Sequence, residues 1–176
     1  MSRLNVDANV MILATDAASA EFFLDHGWPA VYHPSPMQTG YLKHEKGRTH
    51  WTRMHVWFER VRAVQHLLQL GYTVVHSDAD ALWFKNPLPE LDALAKSGHD
   101  LIFSRGNAAG GKNAGHGLGV CGGFYYAAPS AGSVAFFTDV LRAMHARNMP
   151  DQPAMNSLLW AGGVGRSQDM MDPDPW

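Results

Sequence analysis

Gly71-Tyr-Thr-Val-Val-His-Ser-Asp-Ala-Asp-Ala-Leu-Trp-Phe-Lys-Asn-Pro87 decides how this chain is read. The apolar run from Tyr72 to His76 predicts a buried β-strand. Directly after it stand two carboxylates two residues apart, Asp78 and Asp80, and Asn86-Pro87 stops the run. Such a pair just past a strand suits a divalent cation. Mg²⁺ and Mn²⁺ favour oxygen ligands and commonly take one or two carboxylates together with substrate phosphates. The bland alternative is a solvated turn with Asp as a capping residue. The apolar lead-in favours the cation, and with it a site for a metal–diphosphate.

Upstream of the stretch, Val56, Trp57, Val61, Val64, Leu67 and Leu68 recur at helical spacing. They predict a helix over Met54 to Leu70, with Gly71 as its stop. Val10 to Thr15 predicts a short strand. Asp16 then caps a helix from Ala17 to His26, ended by Gly27-Trp-Pro29. Residues 28–50, rich in Pro, His, Gly and Lys, predict a long loop. Downstream, Asp100 to Ser104 and Val120 to Ala127 predict strands, and Ser130 to Arg147 a helix. Asp151 caps a last helix, Gln152 to Trp160, with Pro153 tolerated in its first turn. Strands and helices alternate, and the central strands are nearly all apolar. The expected fold is α/β, a mostly parallel sheet covered on both faces. Ligands of such sheets bind beyond the carboxyl ends of the strands, where the Asp pair falls.

The 176 residues fit one domain, residues 1–176. A hydrophobic fraction of 46% against 17% charged supports a packed core. A net charge of −2, without a long basic run, argues against nucleic acid or an anionic membrane as partner. Cys121 is the one cysteine, which excludes an intrachain disulfide and a Cys-based zinc site. The N-terminus has no apolar stretch like a signal peptide, and no window approaches the roughly 18 apolar residues of a membrane span.

Three blocks, in order, resemble the nucleotide-diphospho-sugar transferases, glycosyltransferases of the GT-A type that include plant xylosyl- and arabinosyltransferases. The first is Leu70 to Pro87, similar to that family's helix, strand, DxD motif and following Trp. The second is Cys121-Gly-Gly-Phe-Tyr-Tyr-Ala127, similar to its Asn-x-Gly-Phe strand. The third is Asp151-Gln-Pro-Ala-Met-Asn156, similar to its Asp-Gln-x-x-x-Asn helix start. The resemblance implies a GT-A-like three-layer sandwich and transfer of a sugar from a nucleotide diphosphate, with retention at the anomeric carbon. It implies a nucleotide-sugar donor, most commonly a UDP-sugar, Mn²⁺ or Mg²⁺ as cofactor, and a glycan or glycoprotein acceptor in the Golgi or secretory pathway. On this chain, Asp80 resembles the main metal ligand, and Asp78 a contact to ribose, metal or donor sugar. Asp151 and Gln152 resemble residues beside the transferred sugar and acceptor. Arg60 resembles a phosphate contact, and Gly123 belongs to the donor-binding Gly-Phe block. The chain departs from the family in starting after its first strand and helix and in ending soon after Asp151-Gln152. No Lys or His follows His145, and Cys121 stands where Asn is usual. A fragment or shortened form of a longer transferase is expected.

Each feature has a plainer reading. Arg60 and Arg62 suit a solvated helix face, and Asp151 a simple helix N-cap. Asn156 suits an exposed helix position. Trp83 and Phe84 are expected in the core, and Tyr125 and Tyr126 on opposite faces of a strand. His76 reads as structural. His44, His50 and His55 lack metal-ligand spacing. Gly106 to Asn113 fails as a P-loop, because Asn113 replaces the required Ser or Thr and poor helix material follows. The competing functions are a haloacid-dehalogenase-type phosphohydrolase, with Asp78 as nucleophile, and a non-catalytic nucleotide-sugar-binding remnant.

Overall fold

The computed structural model describes residues 10–32, 48–106 and 119–162, with side chains between 48 and 53 excluded. In chain order the elements are β1 (Ile12–Ala14), α1 (Ala17–Asp25), β2 (Ala30–Tyr32), α2 (Arg48–Gln69), β3 (Val74–Ser77), α3 (Leu88–Lys96), β4 (Leu101–Gly106), β5 (Gly119–Ala127), α4 (Ala131–Arg147) and α5 (Asp151–Ala161). His44, the side chain of His50, residues 107–113 of the glycine-rich stretch, and Asp172 and Asp174 lie outside the described residues.

Local chemistry explains most boundaries. Asp16 starts α1 by accepting the Ser19 N–H at 2.8 Å. Gly71, at a φ of 87°, ends α2 in a conformation that a side chain resists. Ser130 caps α4 through the Ser133 N–H at 3.1 Å. Asn148, at a φ of 48°, closes the same helix. Two elements escaped the sequence reading. Strand β2 and the start of α2 both fall in the expected loop over 28–50. Helix α3 follows Asn86-Pro87, where the Asn86 side chain accepts the Leu88 N–H at 3.0 Å and a leucine stripe buries Leu91.

The class is α/β, as expected, but the strand directions differ from a mostly parallel sheet. β1 and β2 pair in parallel. The larger sheet has the order β3-β5-β4, and β5 runs antiparallel to both neighbours. The apolar composition of these strands reflects cover on both faces, not strand direction. One face of β5 presents Tyr125 and Ala127 to a core built from Val61, Val64 and Leu68 of α2, Phe137, Val140 and Met144 of α4, and Ala154 and Met155 of α5. Phe124 and Tyr126 project to the other face, where Trp83 meets Phe124 edge to face. Phe84 corrects a second expectation: it is 92% exposed. Its neighbour Trp83 takes the inward position, donating its indole N–H to Ser77 Oγ at 3.0 Å, so the adjacent residues face out. Among the described residues no helix is long and apolar enough to cross a membrane.

Phe137 is fully buried and its ring lies 5.5 Å from that of Tyr125. Phe137→Ala is expected to lower the unfolding free energy by about 3–5 kcal/mol, measured by urea denaturation.

Candidate functional site

Arg60 lies on α2 just before Val61 turns into the core, so the helix aims its guanidinium at the ends of β3 and β5. There it meets two carboxylates. Its Nε donates to Asp151 Oδ2 at 2.5 Å, and its Nη1 donates to Asp78 Oδ1 in a short ion pair. Only 12% of the Arg60 side chain and 2% of that of Asp151 are exposed, against 39% for Asp78. Arg60 is therefore no solvated helix residue. Arg62 behaves differently, pairing with Glu59 at 2.7 Å along the helix. Burial works against the Arg60 charge, but the hydrogen bond and charge of Asp151, together with Asp78, outweigh it.

Asp78 closes the end of β3. Its backbone N–H donates to Gly123 O at 2.8 Å, and its carbonyl accepts the Ala81 N–H at 3.0 Å to form a turn. His76 Nε2 lies 3.2 Å from Oδ1, the oxygen that Arg60 also holds. The hydrogen bond from His76, and behind it the Arg60 charge, hold the Asp78 carboxyl below the usual carboxylate range against the opposing effect of burial. Oδ2 faces Gly123. A Cβ at that glycine would stand 2.6 Å from Oδ2, so this close approach needs a residue without a side chain. Asp80 sits apart, exposed within the turn.

Helix α5 supplies the third side of the site. Pro150, not Asp151, occupies the N-cap, and Asp151 is the first helical residue. Asp151 still serves the helix start, because Oδ1 accepts the Gln152 N–H at 2.8 Å while Oδ2 holds Arg60. One side chain thus serves both the start of α5 and the ion pair with Arg60. Gln152 Oε1 accepts the Gly122 N–H at 3.0 Å. One turn on, Asn156 is buried, which corrects its reading as an exposed position. It accepts the Val120 N–H at 2.7 Å and donates to Val120 O at 3.1 Å and Gln152 O at 2.9 Å. These bonds tie α5 to a part of β5 where the ladder with β4 is irregular, so side chains satisfy the strand's free backbone groups.

The structure therefore brings Arg60, Asp78, Asp151, Gln152 and Gly123 together and leaves Asp80 exposed beside them. The sequence reading missed His76 as a partner of Asp78, although its two-residue spacing on one strand was a usable signal. Tyr125, expected on the strand face opposite Tyr126, is fully buried and stacked on His76 at 4.9 Å.

A sequence model of the nucleotide-diphospho-sugar transferase family matches residues 5–174 of the chain. The chain is 28% identical over 171 residues to the beta-arabinofuranosyltransferase RAY1 of Arabidopsis thaliana, an alignment covering 96% of this chain and 31% of that protein. The chain thus spans about a third of the length of this curated relative. No solved structure matches.

Replacing Arg60 leaves the buried Asp151 carboxylate without its counter-ion. Arg60→Met is expected to cost about 3–5 kcal/mol in urea denaturation. Arg60→Lys is expected to restore little, because a single ammonium cannot address two carboxylates from two nitrogens of one plane. Asp78 carries a pH signature. Its folded pKa is depressed, so its contribution is present above the unfolded value near 4 and is lost as pH falls through the folded value. Stability of the wild type is expected to fall more steeply below about pH 4 than that of Asp78→Asn, followed by thermal melts across the acid range.

Proposed function

The chain belongs to the nucleotide-diphospho-sugar transferase family, and from that premise we propose that it transfers a glycosyl group from a nucleotide-diphosphate sugar to a glycan or protein acceptor, with the aid of Mn²⁺ or Mg²⁺ and with retention at the anomeric carbon. One observation carries this reading: a charged cluster from three separate elements meets at the carboxyl end of β3, with an exposed carboxylate beside it.

The residues present fit a hard divalent cation. Asp80 is exposed, and Asp78 Oδ2 makes no hydrogen bond among the described residues, while Oδ1 is already held. Among the described residues no cluster of three His, Cys, Asp or Glu side chains converges as a cage. Two carboxylates completed by donor phosphate oxygens and water match the usual habit of Mg²⁺ and Mn²⁺. In this reading Asp80 is the principal ligand and Asp78 the second. When bound, the ion supplies neutralisation of the charge that builds on the departing nucleotide diphosphate.

The protein's own part is positioning. Arg60 presents a fixed positive charge to the donor, held in place by Asp151. Gln152 fixes the Gly122 backbone, and Gly123 keeps the floor beside Asp78 bare. Asp151, with both oxygens engaged and almost no exposure, acts in this scheme by aiming Arg60 at the transferred sugar. The phosphohydrolase alternative would need Asp78 as a nucleophile, and the family match over residues 5–174 favours glycosyl transfer over it.

Incubation with a panel of labelled UDP-sugars and Mn²⁺ tests the proposal. Donor turnover is expected to require the cation, to stop with chelator, and to fall about 100-fold or more in Asp80→Ala, the order of loss when charge stabilisation of a reacting group is removed. Full turnover in Asp80→Ala would overturn the metal assignment.

A further inference from the structure

A carboxylate serves a cation well only when it is aimed. The two oxygens of Asp78 are chemically alike, and half a turn about the Cβ–Cγ bond exchanges them. The structure tells them apart. Oδ1 receives two donors, Arg60 Nη1 from α2 and His76 Nε2 at 3.2 Å from β3. Oδ2 faces the bare Cα of Gly123 and makes no hydrogen bond among the described residues. A single donor leaves a carboxylate free to pivot about that contact. Two donors arriving from different elements fix its plane, and the oxygen left over is the one offered to a ligand.

The histidine is itself held. An ionised carboxylate only accepts, so Nε2 carries the proton of this hydrogen bond. The two-residue spacing puts 76 and 78 on one side of the extended chain. Residues 76 and 125 are register partners on β3 and β5. The imidazole stacks on Tyr125 at 4.9 Å, and the Tyr125 ring lies 5.5 Å from those of Phe103 and Phe137. The aromatic core thus sets the imidazole, and the imidazole sets Asp78. Arg60 does not duplicate this part, because its guanidinium is also committed to Asp151 on α5.

We propose that His76 is a positioning residue for the divalent cation: together with Arg60 it holds Asp78 Oδ1, so that Oδ2 is presented to the ion as a single, fixed ligand. The inference rests on the donor-site reading above and names the residue that aims the second carboxylate of that site. Partners that hydrogen-bond a metal-ligating carboxylate carry about ten- to a hundredfold in metal affinity.

Mn²⁺ binding in the presence of UDP, followed by loss of the free ion's electron paramagnetic resonance signal, tests it, with thermal melts in the absence of cation. The proteins are wild type, His76→Phe, His76→Gln, His76→Met and Asp80→Ala. His76→Phe keeps a ring to stack on Tyr125 but lacks the donor, and is expected to melt near wild type and to bind Mn²⁺ about tenfold more weakly. Gln and Met are of similar length and both lack the ring, but only Gln offers an N–H to Oδ1. His76→Gln is expected to bind Mn²⁺ nearly as well as wild type, and His76→Met as weakly as His76→Phe. A merely structural histidine gives Gln and Met variants with equally lowered melts and equal Mn²⁺ affinity, and that result would overturn the inference. Wild-type affinity in His76→Phe, with Asp80→Ala weakened, removes the inference alone. Equal affinity in wild type and Asp80→Ala removes the donor-site reading, and the inference with it.

Discussion

One buried positive charge organises this molecule. Arg60 brings a cation into a setting that is almost closed to water, and such a charge persists only when it is paired. The pairing comes from Asp151 on α5 and Asp78 at the end of β3, so three elements must hold their mutual positions to satisfy one guanidinium. The planar group addresses one carboxylate through Nε and another through Nη1, which fixes direction as well as distance. The core of α2, α4, α5 and β5 supplies the hydrophobic free energy, and the ion pairs set the geometry at its rim.

The antiparallel placement of β5 serves the same end. By running between β3 and β4, it carries Gly122 and Gly123 into the corner between Asp78 and Gln152. A strand end alone would offer a carboxylate to solvent. Here the glycines admit the Asp78 side chain on one side and the Gln152 amide on the other. The β5 backbone thus becomes part of the site wall. Asn156 fastens α5 to Val120 and keeps that wall in register with Asp151.

The legible parts of the sequence were those governed by local rules. Helical periodicity placed α2 and α4, cap chemistry placed the start of α1, and Gly71 marked the end of α2. The Asp78–Asp80 pair was recognisable because it follows an apolar strand. The strand directions were hidden, since a strand covered on both faces looks the same whichever way it runs. The burial and pairing of Arg60 were hidden for a related reason. A single charge on an amphipathic helix belongs to the solvated face by default, and its carboxylate partners lie 18 and 91 residues away. Phe84 and Asn156 exchanged their expected places, because Trp83 claimed the inward site and the irregular part of β5 needed a polar side chain. Local pattern reports propensity, while these positions are decided by contacts remote in sequence.

That same 91-residue separation has a bearing on how the chain is made. Synthesis proceeds from the N-terminus, and domains tend to fold as their parts emerge. Helix α2 is complete on the ribosome well before α5 appears. Through that interval Arg60 has one of its two carboxylates and lacks the more deeply buried one. The half-formed site has every reason to stay wet and open, because closing it early would strand a charge. The pairing with Asp151 is available only once α5 has been made. Without α5 docked, Arg60 lacks its Asp151 partner and the Gly122 N–H lacks the Gln152 side chain that accepts it.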